Sequence, residues 1–310
     1  MFRGSIVAIA TPFSAKGGSL PRRQAGASGG KDLVVDEKKL SELVEFHIKS
    51  GTNGIVPCGT TGESPTLSTA EHERAIEICI TAANKKIPVI AGTGSNSTDE
   101  AVSLTRHAAK AGADAVLSVG PYYNKPTQKG YYLHFREIAQ SVDIPIIIYN
   151  IPGRTGSNIE PPTIAKLAKE FRHIIGVKEA SGSLEQMSMV RHLCPENFLL
   201  LSGDDTLTLP VLSIGGVGVI SVVANIVPKD VMNMIEAFRK KDIHKAQEIH
   251  YKLLPLVKAM FLESNPIPVK TAMGLLGMCS SDVRLPLCPM SDENLAKLKT
   301  ALKDYGLLKK

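Results

Sequence analysis

Ser5-Ile6-Val7-Ala8-Ile9-Ala10-Thr11-Pro12-Phe13 is the first apolar run of the chain, and the way it ends decides the fold. The run has the β-branched content of a strand buried on both faces. In an open, doubly wound sheet such a strand passes into a G-x-G-x-x-G turn. Here it ends in Ala10-Thr11-Pro12-Phe13, with no such glycines. Seven more strand-like runs follow, at 54–59, 88–94, 115–121, 145–150, 174–180, 198–205 and 216–225. Helix-period segments separate them, at 36–50, 68–84, 99–111, 128–141, 162–171 and 184–193. Ser68 precedes Glu71 as a capping box would, Ser97-Thr98-Asp99-Glu100 opens another helix, and Pro161-Pro162 and Pro228 stand where a first helical turn favours proline. Eight βα units in series predict an α/β fold, a (β/α)8 TIM barrel, with its active site at the C-terminal ends of the strands.

After residue 225 only helical patterns remain, more than one barrel helix needs. The expected division is therefore barrel strands and most barrel helices over 1–227, and the last barrel helix plus a C-terminal helical extension over 228–310, the appendage itself from 264. The stretch 14–32, SAKGGSLPRRQAGASGGKD, is far longer than an ordinary βα loop. It reads as a surface insertion after strand one, or as a flap over the active-site face.

Composition narrows the function classes. Of 310 residues, 43% are hydrophobic and 21% charged, as in a globular protein, and no apolar stretch has membrane-spanning length. The N-terminus reads as a strand and not a signal peptide. Five scattered cysteines without a C-x-x-C pair argue against disulfides and zinc and fit a cytoplasmic setting. The net charge of +6 lies partly in Lys16, Arg22, Arg23 and Lys31 and in the tail, without an aromatic-interleaved basic stripe, so nucleic acid is not the expected partner. The dispersed histidines suggest no metal, and no cofactor motif appears.

The strand ends carry the chemistry. Lys178 closes the run Ile174-Ile175-Gly176-Val177-Lys178-Glu179-Ala180, where burial would favour the neutral amine, a nucleophile toward carbonyls. Other strands end in Gly59-Thr60-Thr61-Gly62-Glu63, Tyr122-Tyr123-Asn124, Tyr149-Asn150-Ile151-Pro152-Gly153-Arg154-Thr155-Gly156, Ser202-Gly203-Asp204-Asp205 and Gly218-Val219-Ile220-Ser221. Singly, Lys178 reads as a snorkelling charge, Gly-Thr-Thr-Gly as a tight turn, Tyr149 as a packed aromatic and Arg154 as a loop charge. On one rim they form a kit for capturing a 2-oxo acid. Lys178 would form a Schiff base, Tyr149 would move protons, Thr61 and turn amides would hold the acid's carboxylate, and Arg154 a second carboxylate. Gly203 is added as a substrate-binding position.

Three of these motifs in order, Gly59-Thr60-Thr61-Gly62-Glu63, Tyr149-Asn150-x-Pro152-x-Arg154-Thr155-Gly156 and Gly176-Val177-Lys178-Glu179-Ala180, resemble the dihydrodipicolinate synthase / N-acetylneuraminate lyase family, over nearly the whole chain outside 14–32. The resemblance implies a Schiff-base, aldolase-type lyase that condenses pyruvate with L-aspartate 4-semialdehyde on the diaminopimelate route to lysine. It implies Lys178 as Schiff-base lysine and Tyr149 as proton donor and acceptor, linked through Thr60 to Tyr123 of a partner subunit. Thr61 and Ile220 would contact pyruvate, Arg154 would bind the semialdehyde carboxylate, and the assembly would be a homotetramer, a dimer of tight dimers. Sister activities, N-acetylneuraminate lyase or a 2-keto-3-deoxy sugar acid aldolase, share the lysine and tyrosine but generally lack the arginine. A non-enzymatic basic binding module is the remaining alternative. Ser64, His72, Asn96, Glu100 and Tyr122 match the family's allosteric lysine site. Pro65 and Thr69 depart from members that respond strongly, so a weak or absent lysine response is expected.

Overall fold

The computed structural model describes residues 2–15 and 33–309. Its strands are β1 (Gly4–Ala8), β2 (Phe13–Ala15), β3 (Leu33–Val35), β4 (Gly54–Val56), β5 (Ile90–Gly92), β6 (Ala115–Val119), β7 (Ile146–Asn150), β8 (Ile174–Glu179), β9 (Leu199–Ser202) and β10 (Gly218–Ser221). Eight form one parallel sheet in the order β4-β1-β10-β9-β8-β7-β6-β5. Ile55 of β4 bridges in parallel to Val89, just before β5, and so joins the two ends of that order into a barrel. The eight apolar runs of the sequence are these eight strands.

Two hydrophobic layers explain why the runs are unbroken. Ile6, Ala8, Val56, Ile90, Leu117, Ile147, Tyr149, Leu201 and Ile220 pack together inside the barrel. Val7, Ile55, Ala91, Val116, Ile148, Val177, Leu200 and Val219 pack outward, under the helices. Successive residues of a strand alternate between these layers, and both layers are apolar.

The helices are α1 (Glu37–Lys49), α2 (Thr69–Ala83), α3 (Thr98–Ala111), α4 (Gln128–Ser141), α5 (Pro152–Thr155), α6 (Pro161–Glu170), α7 (Leu184–Leu193), α8 (Thr208–Ser213), α9 (Pro228–Arg239), α10 (Ile243–Ala259), α11 (Ile267–Leu275) and α12 (Asp292–Tyr305). The capping box at Ser68 and Glu71 is present, and Ser97 caps α3 by accepting from Glu100 N. Pro161 and Pro228 occupy first turns. α9 packs on β1 as the eighth barrel helix, and α10, α11 and α12 form the C-terminal extension. The extension begins at Ile243, upstream of residue 264.

The first run divides. Its parallel ladder stops at Ala8, because Asn225 takes over the backbone there, donating to Ala8 O at 2.9 Å and accepting from Ala10 N at 3.1 Å. Phe13–Ala15 then pairs antiparallel with Leu33–Val35, so a two-stranded ribbon flanks the insertion. Of 14–32, Ser14 and Ala15 belong to that ribbon and 16–32 lies outside the described residues. Between β9 and β10 the barrel helix α8 is only 6 residues long, too short for a periodic signal.

Barrel closure leaves no room at Gly218, which opens β10 beside Gly4. A Cβ there would sit 2.1 Å from the Gly4 carbonyl oxygen. Gly218→Ala is expected to cost on the order of 3 kcal/mol, seen as a lower urea midpoint at unchanged slope.

Candidate active site

β7 and β8 bring the two central residues together. They pair with Tyr149 opposite Lys178 and Asn150 opposite Glu179. Partners in a parallel pair share a face, and Tyr149 belongs to the inner layer, so Lys178 also points into the barrel. The Lys178 Nζ lies 4.0 Å from the centre of the Tyr149 ring. Each residue is 6% exposed. No carboxylate comes within 4.0 Å of Lys178 among the described residues. Burial therefore pulls the Lys178 ammonium down to about 7, against the more distant charge of Asp205 and with the help of Arg154. Burial pushes the Tyr149 phenol up to about 12, opposed by the Arg154 charge and the Thr60 hydroxyl. At neutral pH the site thus holds a substantial fraction of free amine beside a protonated phenol.

The turn after β4 supplies hydroxyls. Gly62 N donates to Gly59 O at 3.1 Å and Glu63 N to Thr60 O at 3.1 Å, and Thr11 Oγ1 ties down Gly62 O at 2.7 Å. Glu63 is held in a left-handed conformation, φ +54°. Thr61 is buried, and Asn265 Nδ2 donates to its Oγ1 at 3.0 Å. The Thr61 proton is then free to be donated elsewhere. Arg154, exposed on α5, donates to the Asn265 carbonyl at 3.2 Å.

Gly203 stands beside Lys178, and Ile220 lies in the same inner layer as Tyr149. A Cβ on Gly203 would stand 3.2 Å from Lys178 Cε and 2.6 Å from Ala180 Cβ, so glycine there keeps the lysine's path clear. Ile220 is buried in the inner layer with Tyr149. A cavity of about 380 Å3 opens against Thr60, Tyr149, Arg154 and Ile151, and continues to Ser64, His72, Glu100 and Tyr122. Pro65 and Thr69 line the same cavity. Asn96 is not among the residues that line it; its carbonyl accepts from Asn124 Nδ2 at 2.9 Å. Tyr123 is not brought to this site by its own chain. It is 88% exposed, on a left-handed backbone at φ +71°.

The family model described as "Dihydrodipicolinate synthetase family" matches residues 1–305. The chain belongs to the dihydrodipicolinate synthetase family. It is 58% identical to the 4-hydroxy-tetrahydrodipicolinate synthase of Endomicrobium trichonymphae, over 100% of both chains. It is similar to the crystal structure of dihydrodipicolinate synthase from Aquifex aeolicus, with a TM-score of 0.92 and 50% identity over 100% of both chains. It is also similar to the chloride-inhibited dihydrodipicolinate synthase from Acinetobacter baumannii complexed with pyruvate, with a TM-score of 0.91 and 43% identity over 99% of this chain and 100% of that one.

In this member of the dihydrodipicolinate synthetase family, four residues without an assigned role from sequence stand at the site. Asn265 joins Thr61 to Arg154. Glu179 is fully buried behind Lys178 and accepts from Asn150, Gln186 and Ser181 N. Asp205, also buried, accepts from Val222 N and Val223 N. Lys270 on α11 is fully buried against Glu63. The signal for Lys270 was a lysine amid Ile267-Pro268-Val269, the same anomaly that marks Lys178.

Burying an unpaired lysine has a cost that the fold must carry. The folded-state value of Lys178 lies below that of an unfolded lysine, so the unfolded chain binds the extra proton between about pH 7 and 10.5, and stability rises with pH across that window. Lys178→Met is accordingly expected to stabilise the protein at pH 7 by a few kcal/mol. A melting temperature no higher than the parent's would contradict the buried, unpaired amine.

Proposed function

We propose that this chain condenses pyruvate with L-aspartate 4-semialdehyde to 4-hydroxy-tetrahydrodipicolinate, with release of one water, through a Schiff base on Lys178. The observation that carries the reading is the Lys178 amine, buried over the Tyr149 ring at the C-terminal end of a closed barrel with its pKa pulled down to about 7 by that burial. Free Nζ attacks the ketone carbon of pyruvate, and the carbinolamine loses water to an iminium. The iminium accepts the electrons of a C3–H bond as the proton leaves, giving an enamine. The enamine carbon bonds to the aldehyde carbon of the semialdehyde, whose oxygen takes up a proton. The semialdehyde's amino group then attacks C2, expels the Lys178 amine and closes the ring.

Tyr149 serves the proton transfers, because a phenol held protonated can donate to the carbinolamine oxygen and be restored through Thr60. Thr61, with its proton left free by Asn265, binds the pyruvate carboxylate together with the turn amides. Ile220 and Gly203 shape the space beside Lys178, and Arg154 at the mouth binds the semialdehyde carboxylate. Arg154 favours the synthase over a sugar-acid lyase, whose polyhydroxy tail has no carboxylate to place there. The same reading includes a homotetramer built as a dimer of tight dimers, in which Tyr123, too exposed to serve its own site, completes the relay in its neighbour's. No described helix is long and apolar enough to cross a membrane, and we place the enzyme in the cytoplasm.

Incubation with pyruvate and borohydride is expected to leave an irreversible adduct on Lys178, located by peptide mass spectrometry. Adduct formation should rise with pH through about 7 and level off above it, as free amine replaces ammonium. Lys178→Ala should lower kcat by 10^4-fold or more, on the order seen when a nucleophile is removed, and Tyr149→Phe by about 10^2- to 10^4-fold. An adduct on another lysine, or none, sinks the mechanism.

Lysine feedback is a separate part of the proposal. Ser64, His72, Glu100 and Tyr122 share the cavity with Pro65 and Thr69, where a proline and a threonine replace the small residue and histidine of strongly responding relatives. Micromolar lysine should leave the initial rate unchanged; half-inhibition in that range would refute this.

A further inference from the structure

We propose that Lys270, on a helix outside the barrel, is a positioning residue for the pyruvate-binding turn and acts through Glu63. The inference rests on the Schiff-base reading above.

The turn Thr60-Thr61-Gly62-Glu63 is gripped from the C-terminal extension at several points. Lys270 Nζ meets Glu63 Oε1 at 2.6 Å, with both side chains essentially inaccessible at 0% and 1%. Arg284 N donates to Glu63 Oε2 at 3.0 Å. Asn265, just ahead of α11, donates to Thr61. Lys270 Nζ also lies 4.1 Å over the Phe13 ring, with the Arg284 guanidinium 4.5 Å from the same ring. Arg284 in turn takes both oxygens of Glu71, at 2.6 and 2.8 Å, and the carbonyls of Thr66 and Leu33.

A structural ion pair would lie anywhere that brings two buried charges together. This one ends on the residue whose left-handed backbone closes the Thr60–Glu63 turn. A non-glycine residue in that conformation is strained and persists only where surrounding contacts hold it. Glu63 is held by its side chain, and its amide is bonded to Thr60 O. Loss of the Lys270 contact therefore reaches Thr60 and Thr61 within a single turn. The two buried lysines divide the work: one is left without a carboxylate partner to react, and the other is paired to hold the turn that carries Thr60 and Thr61.

The test compares the parent with Glu63→Gln and with Lys270→Met/Glu63→Gln, each checked by circular dichroism and melting. Replacing both charges of a buried pair is often neutral for stability, so the double variant is expected to fold. Borohydride trapping is run against pyruvate concentration. Adduct in the parent shows that the Schiff-base reading stands, whatever the variants do. Folded variants should then need at least tenfold more pyruvate for half-maximal trapping. Their rates at saturating pyruvate should be less affected, and the pH midpoint of Lys178 should be unchanged. Parental pyruvate dependence in either folded variant overturns the proposal. So does failure of both variants to fold, which would assign the pair to stability alone.

Discussion

The buried carboxylate of Glu179 sets the geometry of the barrel mouth. It lies on the helix side of β8, fully enclosed. It accepts from Asn150 Nδ2 at 3.0 and 3.1 Å, from Ser181 N at 2.8 Å and from Gln186 Nε2 at 3.1 Å. Asn150 also reaches Asn158 and accepts from Ile159 N, so the network spans the ends of two strands and the loops after both. A buried carboxylate is tolerable only when its acceptors are filled, and filling them requires Asn150 to stand opposite Glu179. That register puts Tyr149 opposite Lys178. A slip by one residue would turn the lysine out among the helices and leave the carboxylate in the lumen. A polar network on one face of the strands thus fixes the Lys178–Tyr149 contact on the other.

Two lysines buried to a similar depth show how environment separates chemistry from architecture. Lys270 meets a carboxylate at 2.6 Å and an aromatic face, and although burial lowers its pKa, the charge and hydrogen bond of Glu63 oppose that shift. Lys178 meets an aromatic face at a similar distance but no carboxylate within reach, and desolvation then favours the amine. The closest acid on its own strand, Glu179, points away by the strand's period of two. The lowered pKa of Lys178 follows from which neighbour faces it as much as from its depth.

Much of this was legible in the chain. Eight apolar runs with no dinucleotide turn after the first gave the barrel, and capping residues at Ser68 and Ser97 located helices closely. Lys178, Tyr149, Thr60, Thr61 and Arg154 could be assigned to one rim because strand ends converge in a barrel. The facing of each residue could not be read, because strands apolar on both sides carry no alternation. Residue 149 was recognisable as a strand-end tyrosine, but its inward direction was not. The helix 208–213 was too short to show a period. The break after Ala8 depended on Asn225, far along the chain, and the roles of Asn265 and Lys270 depended on an extension folding back over more than two hundred residues. Such contacts leave no local trace in sequence.

The pairing of β1 with β10 bears on the order in which this molecule comes into being. β1 finds β4 soon after both leave the ribosome, but its other edge must wait for residues 218–221. Until then the growing sheet has two open edges and its lumen faces water. The inner layer, and with it the dry surroundings of Lys178, is complete only once the last strand has been added. A Lys178 side chain still in water has lost none of its hydration, the cause that lowers its pKa in the folded barrel. On the function proposed above, closure of the barrel is thus also the step that lowers the pKa of Lys178 and frees its amine.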